Sequence, residues 1–144
     1  MRVRMVLAAA TLLMMNLVPA SATSRISDDR GGQIGSYLAR FHALKKSGER
    51  VAIDGLCASA CTMLLGIIPA YRICVTPRAV LQFHTAWDPT PSGGQIVNTE
   101  GNAILWSHYP ENIRRWISRH GGLQEQILNL QGPELSAMYP SCNK

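Results

Sequence analysis

The chain has 144 residues, of which 14 are Lys or Arg and 9 are Asp or Glu, and its formal net charge is +5. This excess is modest, and no stripe of basic residues or platform of aromatic residues accompanies it, so the composition excludes a nucleic-acid-binding protein of the usual basic kind. The length suffices for one domain with one hydrophobic core and leaves no room for a second.

Residues 1–22 are predicted to be an export signal peptide. Two arginines open the segment, residues 5–18 form an apolar run, and residues 20–22 form a cleavage site with small outer residues. The apolar run is shorter than the roughly 20 residues that span a bilayer, so we expect cleavage and no stable membrane anchor afterwards. The sequence therefore predicts a periplasmic or secreted protein whose single domain covers residues 23–144.

The first half of this domain is predicted to alternate between strands and helices. A short strand is expected at 25–27, followed by a turn at Gly31-Gly32. Apolar residues at helical spacing predict an amphipathic helix over 33–46. A buried strand is expected at 51–53, and residues 60–68, apolar nearly all round, are expected to form a buried helix.

The second half continues the alternation. Strands are expected at 72–75 and 80–84, a Pro/Gly/Ser/Thr loop at 88–94, a helix at 110–120 and a short helix at 123–130. The order strand, helix, strand, helix, strand predicts an α/β fold built of βαβ layers, with a mainly parallel sheet and right-handed crossovers.

The four cysteines all lie in the predicted mature domain, at Cys57, Cys61, Cys74 and Cys142. Because an exported chain enters an oxidising compartment, we expect two disulfides, and the sequence leaves all three connectivities open. Zinc held by Cys57 and Cys61, with Cys74 and His84 as further ligands, is the alternative, and Cys61 as a nucleophile is another. Oxidation on export favours the disulfides, so we predict no metal and no cofactor.

Ser59 is the strongest candidate for chemistry. It lies among small residues where a strand is expected to give way to an apolar helix, so the backbone N–H of Ala60 points into the same space. Acyl transfer by serine needs this kind of donor and a base, and His84 lies at the end of another predicted strand. The alternatives are that Ser59 is an ordinary helix N-cap and that His84 is structural.

These residues resemble a known family. Gly31-Gly32, the amphipathic helix, the segment 55–59 and the segment 77–84 are similar to the proteolytic subunit of Clp protease, within the ClpP/crotonase superfamily, over roughly residues 25–90. With the export signal, the chain is most similar to the small periplasmic ClpP-like proteins of bacteria. The resemblance implies a minimal ClpP/crotonase-like domain.

The resemblance also implies roles for individual residues, which are the nucleophile Ser59, the base His84 and the oxyanion-hole donors Gly32 and Ala60. The nearest match to the family's acid is Glu134, and Asp88 is a local alternative. The function implied is an exported serine hydrolase, a peptidase or esterase, that acts on a peptide or small acyl substrate through an acyl-enzyme. Since the helical segment that builds the family's rings is not recognisable, a non-catalytic binding or assembly module of the periplasm is the second hypothesis.

Overall fold

The computed structural model describes residues 22–142, so the predicted signal peptide lies outside the described residues except for its last position. The strands are β1 (Thr23–Asp29), β2 (Arg50–Ala58), β3 (Ile73–Val75), β4 (Val80–Phe83), β5 (Trp87–Pro89), β6 (Gln95–Val97) and β7 (Leu128–Gln131). The α-helices are α1 (Ile34–Ser47), α2 (Leu64–Ile67), α3 (Thr99–His108), α4 (Glu111–Arg119) and α5 (Gly132–Ser136). Two 3-10 helices cover Ser59–Met63 and Ala70–Arg72.

One mainly parallel sheet forms the centre of the molecule, with the strand order β1-β2-β4-β7. The long strand β2 pairs in parallel with β1 on one side, and on the other with β3 through its first half and with β4 through its second half. Strand β7 pairs with β4 in the antiparallel direction. The prediction of an α/β fold with a mainly parallel sheet is therefore confirmed.

The core lies between this sheet and the helices that follow its strands. The side chains that are completely buried include Phe41 of α1, Ile53 of β2, Leu64 of α2, Leu81 of β4 and Ile117 of α4. They come from every layer of the molecule, so burying apolar surface joins the helices to the sheet. Within residues 22–142, no helix is long and apolar enough to cross a membrane.

The buried carboxylate of Asp54, in β2, links β1 to the connection between β3 and β4. It accepts hydrogen bonds from Arg25 of β1, from Thr76 at 2.7 Å and from Arg78 at 2.5 Å. The hydrogen bonds from Arg78 and Thr76, which outweigh the effect of burial, hold the pKa of Asp54 well below its usual range. Asp54 is therefore a structural residue.

Several predicted elements differ from those observed. Residues 88–94 were expected to form a loop, but β5 and β6 pair across them as an antiparallel hairpin. The helix expected at 123–130 is wrong, because Leu128 and Leu130 belong to β7 and pair with Phe83 and Leu81 of β4. Helices α3 and α5 were not predicted, and the helix expected at 60–68 is a 3-10 turn followed by the short α2.

Two disulfides are present, Cys57–Cys61 and Cys74–Cys142, and no cysteine of the described chain is free. The prediction of two disulfides is confirmed, and the structure selects one of the three connectivities. The pairing leaves no thiolate for zinc or for a nucleophilic Cys61, so both alternatives are wrong. Two disulfides fit an oxidising environment such as the periplasm or the cell exterior.

Candidate functional site

Three predicted site segments lie at the same edge of the sheet. Gly31-Gly32 follows β1, Ser59 follows β2 and His84 follows β4. Because these strands are parallel neighbours, their carboxyl ends meet, and this is where sites form in open α/β sheets. All three segments line one open cavity of about 710 Å³.

Ser59 has an unusual backbone conformation. Its φ is +53°, and within residues 22–142 no other non-glycine residue has a positive φ. The Thr62 hydroxyl donates to the Ser59 carbonyl oxygen at 2.6 Å, and the Cys57–Cys61 disulfide closes the turn around the serine. In α/β-hydrolases a strained turn between a strand and a helix exposes the nucleophilic serine, and the surrounding structure maintains the strain.

This strain gives a direct prediction about stability. We expect Ser59→Gly to increase the free energy of unfolding by about 1 kcal/mol, because glycine adopts this φ without a Cβ clash. Ser59→Ala keeps the clash and serves as the matched control, with an expected change near zero. Chemical denaturation with the disulfides intact measures both values, and equal stability of the two variants would contradict a strained turn.

The Gly31-Gly32 turn packs directly against the Ser59 turn. Gly31 has a φ of +81°, and a Cβ added to it would lie 2.6 Å from the carbonyl oxygen of Ala58 and 2.8 Å from the Cβ of Ser59. Only glycine permits so close an approach of the two backbones. The N–H of Gly32 has no acceptor within the described chain, and the N–H of Ala60 lies in the first turn of a 3-10 helix, where such groups lack an intrahelical partner.

Asp29 fixes the entrance to this turn, a role that the sequence did not reveal. Its carboxylate accepts from the N–H of Gly31 at 3.1 Å, from the Tyr37 hydroxyl and from Arg40 at 2.8 Å. Burial acts to raise the pKa of Asp29, but these hydrogen bonds outweigh it and hold the pKa below its usual range. Burial and the contact with Asp29 raise the pKa of Tyr37 to about 12. The spacing of Asp29 and Gly31 is that of an Asx turn, a signal that could have identified the residue.

The half-buried His84 also lines the cavity. Its Nδ1 is 2.7 Å from the carbonyl oxygen of Thr85, which is an acceptor only, so Nδ1 donates and Nε2 keeps its lone pair. Ser59 and His84 share no direct hydrogen bond in the described part of the chain, although both border the same space. Catalytic contacts in structures without substrate are often longer than in the reacting complex.

The two candidate acids differ in their placement. Glu134 is exposed and follows β7, whose Gln131 pairs with Val80 at the start of β4, so Glu134 lies at the other end of that strand from His84. Asp88 lines the cavity with His84 and accepts from Asn98 at 2.9 Å. The structure thus brings Asp88 to the cavity and does not bring Glu134 to it.

A second cavity of about 280 Å³ adjoins the first. His84 and Trp87 border both cavities, and Glu125 and Ile127 line only the second. Glu125 was not singled out by the sequence, because it precedes β7 in a segment that was expected to be helical.

No protein-family model matches this chain, and no curated protein is significantly similar to it. Among residues 22–142, no cluster of three or more His, Cys, Asp or Glu side chains has a geometry that could hold a metal ion.

Proposed function

We propose that this chain is an exported serine hydrolase with a minimal ClpP/crotonase-like fold, acting on a peptide or small acyl substrate through an acyl-enzyme. The observation that carries the proposal is the meeting of Ser59, in its positive-φ turn, with His84 and the Gly31-Gly32 turn around one cavity. A nucleophile, a base and two backbone donors are the parts that acyl transfer by serine needs.

In the proposed reaction, the Oγ of Ser59 attacks the substrate carbonyl carbon while Nε2 of His84 takes the hydroxyl proton. The N–H groups of Gly32 and Ala60 donate to the oxyanion of the tetrahedral intermediate. The intermediate collapses, His84 gives the proton to the leaving group, and an ester of Ser59 remains. Water, deprotonated by His84, then attacks this ester and releases the acid product, which restores the hydroxyl of Ser59.

The cavity supports an extended substrate with an apolar part. Its wall includes Ile34, Ala86 and Trp87, while Arg30 and Asp88 provide charges near the rim. Its volume, about 710 Å³, is in the range of sites that enclose a small ligand or a short peptide segment. The two disulfides support the proposal that the enzyme is exported to the periplasm or the exterior.

A fluorophosphonate probe tests this function without knowledge of the substrate. We expect the exported protein, expressed from the full sequence, to be labelled on Ser59, because the probe reacts with activated serines. Intact mass and peptide mapping would show the labelling. Ser59→Ala should not be labelled, and Ser118→Ala, which removes an exposed serine of α4, should label like the wild type. A wild-type protein that remains unlabelled would contradict the proposal.

One observation favours a second function, a non-catalytic binding or assembly module that uses the same cavity. No hydrogen bond joins Ser59 to His84, and no carboxylate hydrogen-bonds to His84, within residues 22–142. The labelling experiment separates the two functions, since a binding module has no need of an activated serine and would not react.

A further inference from the structure

The ring of His84 is oriented by a backbone carbonyl. Nδ1 donates to the carbonyl oxygen of Thr85 at 2.7 Å, so the proton is on Nδ1 and the lone pair is on Nε2. In sites of the Ser-His-acid type, a buried carboxylate selects this tautomer. Here the peptide group between Thr85 and Ala86 occupies the corresponding position.

The same peptide group is held from its other side by Asn102. The N–H of Ala86 donates to Oδ1 of Asn102 at 2.5 Å, and Nδ2 of Asn102 donates to the hydroxyl of Thr85 at 2.6 Å. Because a trans peptide is planar, with its C=O and N–H pointing in opposite directions, fixing the N–H of Ala86 also fixes the direction of the Thr85 carbonyl. The N–H of Thr85 donates to the carbonyl oxygen of Gln124 at 2.8 Å, which anchors the preceding peptide.

Helix α3 comes close enough for this contact because of Gly101. A Cβ on Gly101 would lie 2.9 Å from the Cβ of Ala86, so only glycine lets the first turn of the helix approach this segment. Thr85 and Ala86 are 6% and 8% exposed, and water therefore competes little for their hydrogen bonds. The contact is local, buried and directed at one peptide group.

We infer that Asn102 is a positioning residue that replaces the acid of a Ser-His-acid site. It fixes the Thr85-Ala86 peptide so that the Thr85 carbonyl keeps His84 in the Nδ1–H tautomer, with Nε2 free to accept the proton of Ser59. The inference rests on the proposed function for its catalytic consequence, but the tautomer itself can be observed without any reaction. It also assigns no orienting role to Glu134.

The test combines NMR of the imidazole nitrogens with the rate of fluorophosphonate labelling, both on the exported full chain. We expect the His84 ring, assigned by comparison with His84→Gln, to show a protonated Nδ1 and an unprotonated Nε2, the minor tautomer of free histidine. In Asn102→Ala we expect a shift toward the Nε2–H tautomer and labelling that is at least about tenfold slower. Asn102→Asp keeps an acceptor for the N–H of Ala86, and its second carboxylate oxygen can accept a hydrogen bond from the Thr85 hydroxyl. This variant should therefore restore most of the Nδ1–H tautomer and most of the labelling rate.

Asn129→Ala is the matched control. Asn129 is an asparagine of β7 whose side chain accepts from Gln82 at 2.9 Å, two residues before His84, and it has no contact with Thr85. It should keep the wild-type tautomer and rate. If Asn102→Ala does not fold, Thr85→Val removes the acceptor of Nδ2 but keeps the bond from the N–H of Ala86 to Oδ1, so it is expected to cause smaller shifts in the same direction.

The outcomes keep the two hypotheses apart. An Nε2–H tautomer in the wild type, or a wild-type tautomer and rate in Asn102→Ala, would overturn the positioning role even if Ser59 is labelled. Absence of labelling in the wild type with the Nδ1–H tautomer present would overturn the proposed function, while an Asn102-dependent tautomer would still support the structural part of the inference.

Discussion

Ser59→Ala and His84→Ala are each expected to lower kcat/KM by at least about a thousandfold, and the double variant by no more than either single change. The reason is that the nucleophile and the base act as one unit, so once either is removed, removing the other lowers the rate no further. The rate of hydrolysis of an activated ester, measured from the absorbance of its released chromogenic group, gives all three kcat/KM values. Unfolding free energies measured in parallel separate a loss of chemistry from a loss of fold.

Two further variants serve as comparisons for this pair. Ser118→Ala, at an exposed position of α4, should keep wild-type kinetics. Glu134→Gln should do so as well, because the antiparallel register of β7 places this carboxylate at the opposite end of β4 from His84. A full rate in Ser59→Ala would rule out the acyl-enzyme, and losses that multiply in the double variant would show that the two residues do not act together.

Gly31→Ala is expected to lower the free energy of unfolding by about 3 kcal/mol and to abolish fluorophosphonate labelling. Alanine is destabilised there by the left-handed φ. Its Cβ would also clash with the carbonyl oxygen of Ala58 at 2.6 Å and with the Cβ of Ser59 at 2.8 Å. The clash forces the two turns apart, which moves the N–H of Gly32 away from the oxyanion position. Chemical denaturation and the labelling rate measure the two effects.

Gly48→Ala is a closely matched control for this change. Gly48 has a φ of +80° after α1, but a Cβ there would meet nothing within 4 Å. Its variant should therefore lose only about 1 kcal/mol, the cost of the φ alone, and should be labelled normally. If the two glycine variants lose the same stability, the close packing of the Gly31 and Ser59 turns is not the source of the effect.

The local pattern of the sequence was sufficient for the elements with strong periodicity or strong boundaries. Helix α1 was predicted within one residue at each end, because apolar residues recur at helical spacing and Gly48 ends the helix. Helix α4 was predicted as well, from Pro110 before its first turn and Gly121-Gly122 after its last. Strands β1 and β2 were found but predicted too short, since β2 runs to Ala58, whereas β4 was predicted one residue too long.

The secondary-structure predictions are wrong where strand pairing outweighs the local secondary-structure preference of the sequence. Residues 128–131 read as helical by themselves, but Leu130 becomes completely buried only as a strand beside Leu81 of β4. The hairpin of β5 and β6 depends on cross-strand pairing of Trp87 with Val97, which the Pro/Gly/Ser/Thr composition of the segment between them did not indicate. Glu134 was placed at the site by its distance along the chain, and the direction of β7 removes it.

The sequence by itself determined the alternation of strands and helices, the expectation of two disulfides, and the residue types that could carry acyl transfer. Only the tertiary structure decided which cysteines pair, that Gly31 contacts the Ser59 turn, and that the Thr85 carbonyl and Asn102 lie beside His84 and Ala86 respectively. The physical reason is that periodicity and turn chemistry depend on neighbouring residues, whereas these contacts depend on sheet register and helix packing between residues far apart in the chain.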